Sequence, residues 1–260
     1  MDEFDILVTN DDGVDSPGLH ALCDALSAVG SVTVVAPATD QSAVGRTHSR
    51  SVAVREHDRG YVIDGTPVDC VVAGLTALLP ETDLVVAGCN QGANLGAAVL
   101  GRSGTVSAVV EGTFFDVPGI AVSMYIPPEQ YEQERGTIAA SQYADAVDAA
   151  AYLADTAFEA GVFEDADYLN VNAPTAEMST GEMALTRPST VYRMGAVRDG
   201  DTIALENRIW ELMADGSIPD AEGTDRRAVM ENKISVSPLT APHTAAEHDT
   251  LAGLAEKYGR

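Results

Sequence analysis

Lysine is almost missing from this chain. Lys233 and Lys257 are the two present, so 13 of the 15 basic residues are arginine, against 40 Asp and Glu. No stripe of cations exists to track a phosphodiester backbone, which excludes broad binding to nucleic-acid polymers. Cysteine is scarce as well. Cys23, Cys70 and Cys89 are odd in number and lack C-x-x-C spacing, which argues against a disulfide framework or a zinc ribbon. They read as small buried apolar residues. The five histidines (His20, His48, His57, His243 and His248) show no H-x-x-x-H spacing, so a zinc site is not expected. The longest apolar runs are about ten residues, too short to span a bilayer. The N-terminus carries no basic stretch followed by an apolar block and a small-residue cleavage site. The expectation is a cytoplasmic protein with no membrane partner.

What the chain has in excess is negative charge, −25 over 260 residues. The acids are spread along the sequence, and 45% of residues are hydrophobic. That combination describes a folded protein with an acidic surface rather than a disordered acidic segment. Such a surface repels itself in dilute buffer and is at ease where salt screens within a few ångströms. The composition points to adaptation to high salt.

The order of elements is readable from periodicity and punctuation. Phe4 to Thr9 and Val32 to Ala36 are short aliphatic runs of the kind that form buried strands. Between them, Ser16-Pro17 supplies an N-cap and a first helical residue, and Leu19, Leu22, Cys23, Leu26 and Val29 follow at helical spacing up to Gly30. Ser51 to Arg55 and Tyr61 to Ile63 read as a hairpin. Thr66-Pro67 repeats the cap signal before a helix through Leu78. Leu84 to Ala87 and Gly119 to Met124 are further core strands, with a Gly- and Asn-rich loop and a helix carrying Val106, Val109, Val110 and Phe114 between them. An Ala-rich helix is expected over Ala139 to Glu159, then a strand at Tyr168 to Val171. Alternation of strand and helix predicts an α/β fold with a doubly wound, mostly parallel sheet. From residue 181 the pattern changes to short β segments, Ala184 to Thr186, Thr202 to Leu205 and Ile234 to Ser237. The expected organisation is an α/β core over 1–180, a β arm over 181–243 and a last helix from Thr244 over 244–260.

In open α/β sheets, ligands bind beyond the carboxyl ends of the strands. The polar residues at those ends are Asn10, Asp11 and Asp12 after the first strand, Asp40 and Ser42 after the second, and Cys89, Asn90 and Asn94 after the Leu84 strand. Adjacent carboxylates in a tight turn repel unless a cation or hydrogen bonds offset them. Carboxylate, hydroxyl and amide oxygens are hard ligands that suit Mg²⁺, Mn²⁺ or Ca²⁺. Read alone, Asp11-Asp12-Gly13 is equally a plain turn with a capping acid. Ser103-Gly104-Thr105 stands directly before a helix, where free N–H groups and hydroxyls make an anion site or, read blandly, an ordinary N-cap. A divalent cation beside a phosphate cradle implies phosphoryl chemistry.

These residues carry a resemblance. Val8-Thr9-Asn10-Asp11-Asp12-Gly13 with Ser16-Pro17-Gly18 resembles the N-terminal signature of the SurE family of 5′/3′-nucleotidases. Gly65-Thr66-Pro67-Val68-Asp69-Cys70, Gly88 to Gly96, Ser103-Gly104-Thr105-Val106 and Glu111-Gly112 continue it, and Leu169 to Pro174 and Ser235 to Leu239 match more loosely. The resemblance implies a Rossmann-like core with a C-terminal arm exchanged in a homodimer or homotetramer. It implies one divalent cation per subunit, Mg²⁺ or Mn²⁺, on Asp11, Asp12, Ser42 and Asn90. Asp11 and Asp12 would be catalytic, and Asn10, Asn94, Ser103, Gly104 and Thr105 would contact phosphate or substrate. The implied substrates are nucleoside 5′- and 3′-monophosphates, with short polyphosphate as a further one. The chain departs from the family pattern at Glu231-Asn232-Lys233 and over Pro188 to Ala221. Two other readings remain. A non-catalytic nucleotide-binding module would keep the phosphate cradle without needing paired carboxylates on a metal. A haloacid-dehalogenase-type phosphatase wants its second aspartate where Gly13 stands.

Overall fold

The computed structural model describes residues 4–133, 138–241 and 243. Its spine is a nine-stranded sheet in the order β3-β4-β2-β1-β5-β6-β7-β11-β8. The strands run β1 (Asp5–Thr9), β2 (Ser31–Pro37), β3 (Val54–His57), β4 (Gly60–Ile63), β5 (Leu84–Gln91), β6 (Gly119–Tyr125), β7 (Tyr168–Pro174), β8 (Met183–Leu185) and β11 (Ile234–Leu239). The six strands from β4 to β7 are mutually parallel, while β3 and β11 pair antiparallel to β4 and β7. The parallel strands are buried on both faces, which is why their sequences are aliphatic throughout.

Alternation along each strand divides the interior in two. Ile6 and Val8 join Leu19, Leu22 and Leu26 on one face, beneath α1 (Pro17–Leu26) and α6 (Ala144–Thr156). Leu7 points the other way, to Val71 of α2 (Pro67–Ala73) and Val106 and Val109 of α4 (Gly104–Thr113). Each of these fully buried aliphatic side chains contributes roughly 1.5–3 kcal/mol by leaving water.

The helix starts follow the cap residues. Ser16 Oγ accepts from Leu19 N at 3.3 Å with Pro17 at the first helical position. Thr66 and Asp69 form a reciprocal capping box, and Asp69 Oδ1 also accepts from Ser49 N at 2.7 Å. Gly18 lets α1 lie against β5, because a Cβ there would run into the carbonyl of Cys89. All three cysteines are buried and free.

Several boundaries differ from the sequence reading. α2 ends at Ala73 and continues as a π-helical turn over Gly74–Leu78. The Ala-rich helix begins as a 3₁₀ turn over Ala140–Tyr143. The Gly- and Asn-rich loop holds a short helix, α3 (Ala97–Leu100). The largest difference concerns residues 181–243. Two of the segments assigned to an appended arm, β8 and β11, extend the main sheet instead. Only β9 (Met194–Asp199) and β10 (Thr202–Asn207) form a separate antiparallel hairpin. β11 pairs with β7 because that side of β7 would otherwise expose unpaired N–H and C=O groups. A short α7 (Val162–Asp165) precedes β7, and helices α8 (Ile209–Ala214) and α9 (Asp225–Met230) follow the hairpin. The expected last helix from Thr244 lies outside the described residues.

Candidate active site

From β1 the chain turns to β2 and β4 on one side of the sheet. After β4 it crosses to β5, β6 and β7 on the other. The order reverses between β1 and β5, and the crevice beyond their carboxyl ends is the site such sheets offer.

Asn10 is fully buried and its Nδ2 donates to Gly13 O at 2.8 Å and to Ser16 Oγ at 2.7 Å. It ties the turn to the cap of α1. Asp11 is 4% exposed; it accepts from Thr105 Oγ1 at 2.7 Å and from Thr105 N at 3.2 Å. Asp12 Oδ2 accepts from Gln91 N at 3.0 Å. From the next loop, Gln41 N donates to Asp11 O at 2.7 Å. Asp40 Oδ1 accepts from Ser42 N at 2.7 Å and Ser42 Oγ at 2.6 Å. Asn90 donates through Nδ2 to Gly92 O at 2.6 Å, which leaves Oδ1 as the atom to meet a cation.

Asn94 sits in a lattice of amides. Its N–H donates to Asn172 Oδ1 at 2.7 Å and its Nδ2 to Ser123 Oγ at 2.9 Å, while its carbonyl accepts from Asn170 Nδ2 at 3.0 Å. Ser103 caps α4, accepting from Val106 N at 3.1 Å. Gly104 lies so close to Asp11 that an added Cβ would be 2.7 Å from its Oδ2.

These contacts enclose a cleft of about 510 Å³, lined on its polar side by Asp11, Ser42, Asn90, Asn94 and Ser103. A second cavity of about 410 Å³ adjoins it, sharing Ser42 and Gln91 and adding Asp12 and Asp40. The electrostatics of the carboxylates follow. Burial, then the charge of Asp11, pushes the Asp12 carboxyl from an ordinary 3.8 up to about 6. Burial also raises Asp11, against the hydrogen bonds from Thr105 and with a smaller push from Asp40. Among the described residues, no ion pair reaches any of these three acids.

The structure brings together most residues singled out from the sequence, but not all in the expected role. Asn10 and Thr105 are fully buried and do not line the cleft. Their polar atoms hold the turn and Asp11, so neither is placed to touch a phosphate. Gly104 is the close-packing residue beneath Asp11. Gln91, Ser123, Asn170 and Asn172 were missed as site residues, and Asp40 was placed at the strand ends but given no role. Asn170 and Asn172 did leave a signal: two amides spaced by two in an apolar strand must share one face and find partners there.

Hard oxygens dominate this set. Among the described residues, no three His, Cys, Asp or Glu side chains close up as a metal cluster on their own. The donors that fit a cation are mixed: two carboxylates, the Ser42 hydroxyl and the Asn90 amide oxygen. A buried and a half-buried carboxylate that repel each other without a cationic partner are the observation that a divalent ion would relieve.

Fold and crevice together define a doubly wound α/β protein with an acidic, oxygen-rich site at the switch point, next to a helix N-terminus. The chain belongs to the SurE family: the family model described as survival protein SurE matches residues 6–194. It is 62% identical to the 5′-nucleotidase SurE of Haloarcula marismortui over 99% of this chain and 96% of that protein. It is 58% identical to the 5′-nucleotidase SurE of Halobacterium salinarum over 99% of both. Among solved structures, the SurE protein from Aquifex aeolicus matches with a TM-score of 0.74 at 32% identity, covering 97% of this chain and 98% of that one.

Proposed function

We propose that this protein hydrolyses nucleoside 5′-monophosphates, and 3′-monophosphates as well, to nucleoside and phosphate. One observation carries the reading: Asp11, Ser42, Asn90, Asn94 and Ser103, from the carboxyl ends of β1, β2 and β5 and the segments that follow them, line a single cleft. Kinship with proteins named 5′-nucleotidase SurE at 58–62% identity supports the same activity.

A divalent cation, Mg²⁺ or Mn²⁺, held by Asp11, Asp12, Ser42 and Asn90 would neutralise phosphate charge and acidify a bound water. The chain's own residues do the rest. Thr105 and Gly104 fix the Asp11 carboxylate, and Gln91 N fixes Asp12 Oδ2. Asp12 Oδ1 is left to orient the attacking water and take its proton, from the side of the second cavity. Without the cation, burial and the Asp11 charge raise the Asp12 carboxyl; a bound cation would lower it and keep it ionised, able to accept the proton. Asn94 Nδ2 and the Ser103 hydroxyl face the phosphoryl oxygens, and the asparagine lattice keeps Asn94 from moving as charge develops.

We further place the protein in the cytoplasm as a homodimer or homotetramer. No helix among the described residues is long and apolar enough to cross a membrane. Ile203 and Leu205 on the hairpin are 59% and 75% exposed, an apolar surface that a second subunit would cover.

The test is phosphate release from nucleoside monophosphates and short polyphosphate in molar KCl, with Mn²⁺ or Mg²⁺ and with EDTA. Cation-dependent release that EDTA removes is expected, and Asp12→Asn should cut it by at least about a hundredfold while the circular dichroism spectrum is kept. No release from any nucleotide by folded protein would leave a binding module.

A further inference from the structure

The polar lining accounts for only part of the cleft. Its remaining wall is built from Val99 of α3, Tyr125 at the end of β6, Ile126, Tyr131 of α5 (Pro128–Gln133) and Trp210 of α8. A phosphate and a cation have no use for such a surface. Trp210 is the one tryptophan in the chain. It stands in the stretch from Pro188 to Ala221 where the family resemblance is poor. It is half-buried and packs onto a small third core of Leu95, Tyr125, Met213, Ile218 and Val229. That core fixes it from behind and gives it one side to present to the cleft. Leu95 follows Asn94, so the wall and the phosphate side are mounted on the same loop. Arg102, the one Lys, Arg or His lining the cleft among the described residues, adjoins Ser103 in sequence, and its Nη2 donates to Tyr192 OH at 3.2 Å.

We infer that Trp210, with Tyr131 and backed by the buried Tyr125, forms the subsite for the nucleobase, and that stacking there selects nucleotides over plain sugar phosphates. The inference rests on the phosphatase reading and adds the recognition of the leaving nucleoside. A purely polar cleft would hydrolyse any small phosphomonoester about equally well. An aromatic wall adds affinity only for a ligand with a flat π-face, and a stacked base is worth roughly five- to hundredfold in binding. Every base has such a face, so the wall discriminates strongly against a missing base and weakly among bases. The larger face of a purine favours it modestly over a pyrimidine.

The single tryptophan makes this testable without mutation. Adenosine, which has the base and no phosphate, should change the intrinsic tryptophan emission of the wild-type protein saturably, and ribose should not. In turnover assays with Mn²⁺, wild type should favour AMP over ribose 5-phosphate, mainly through KM. Trp210→Ala should raise KM for AMP roughly tenfold, with a rise at least fivefold smaller for ribose 5-phosphate. Trp210→Phe should recover most of the loss for AMP; a merely structural role in the third core would instead shift KM for both substrates alike. Equal KM shifts for both substrates, or no response of the emission to adenosine, would overturn the subsite while leaving the phosphatase reading intact. Failure to hydrolyse any nucleotide, with the adenosine response kept, would sink the phosphatase reading and leave a nucleoside site.

Discussion

At Gly104 an added Cβ would sit 2.7 Å from both Cβ and Oδ2 of Asp11. Gly104→Ala must therefore push α4 or Asp11 aside, and the bonds from Thr105 to Asp11 cannot both survive. Overpacking of this kind costs about 1–3 kcal/mol. The larger effect should be on turnover: a melting curve should show a modest loss of stability, and phosphate release a drop of at least about tenfold, since a 1 Å displacement is that costly. Asp12 makes a different prediction. Its folded pKa of about 6 lies above the ordinary 3.8, because burial and then Asp11 penalise the charged form. A raised carboxyl means that the folded protein holds the proton more tightly than the unfolded chain. Its contribution to stability is full below pH 4 and is lost as pH rises through 6. The loss is on the order of 2 kcal/mol, allowing for partial exposure. In EDTA and molar KCl, Asp12→Asn should therefore melt higher than wild type at pH 7.5 and lose that advantage near pH 4. Mn²⁺ should raise the melting temperature of wild type at pH 7.5 and hardly affect the variant. An Asp12→Asn protein that melts below wild type at pH 7.5 in EDTA would contradict this account. Which polar residues gather at the crevice was legible in the sequence; which way each one turns was not. Asn10, Asp11 and Asp12 are consecutive, and only the packing of Ser16 and Thr105 around them decides that Asn10 faces inward and Asp12 faces the second cavity.

The strands and helices that position these residues announced themselves by punctuation. Ser16-Pro17 and Thr66-Pro67 cap α1 and α2 as their residue types require, and the aliphatic runs became β1, β2, β5 and β6. The destination of the late strands was not legible. Met183–Leu185 is three residues long, and no local pattern says whether such a segment pairs within an arm or with a distant sheet edge. The free side of β7 decides it. The same holds for α9, a six-residue helix with no marker of function in its sequence. Asp225 on that helix is fully buried and accepts from Gly96 N at 2.7 Å, Ser189 N at 2.9 Å and Arg226 N at 2.7 Å. Arg226 in turn forms a buried ion pair with Asp220 at 2.6 Å. A late helix thus clamps the loop that carries Asn94. Asp225→Ala leaves three N–H donors without their acceptor and should cost roughly 3 kcal/mol or more. It should also lower kcat/KM at a temperature where the variant is still folded, because the Asn94 loop is no longer held. Leu26→Ala, a core truncation at the C-terminal end of α1, should cost about 2–5 kcal/mol without that loss of kcat/KM. Equal kcat/KM in the two variants would remove the clamp from the site.

Over the whole molecule the governing quantity is charge. With 40 acids and 15 bases, carboxylates outnumber lysine and arginine by 25. Of the ion pairs between described residues, only Arg226–Asp220 is buried on both sides; the rest are at least partly exposed and contribute little each. Stability must then depend on how far the remaining charges see one another. The screening length falls from about 10 Å at 0.1 M salt to about 3 Å at 1 M. The relatives in Haloarcula and Halobacterium fit a protein suited to the higher value. The two small parts built on the least apolar area, the β9–β10 hairpin and the third core under Trp210, should loosen first as salt is withdrawn. Dilution from molar KCl into dilute buffer should therefore shift tryptophan emission toward that of exposed indole before the far-ultraviolet circular dichroism changes. Both signals should recover when KCl is restored, and far less when sucrose replaces it, because sucrose favours compactness without screening charge. Coincident loss of both signals would mean that the α8 region and the main sheet unfold as one unit, and full retention of both without salt would show that the acidic surface is no burden to this fold.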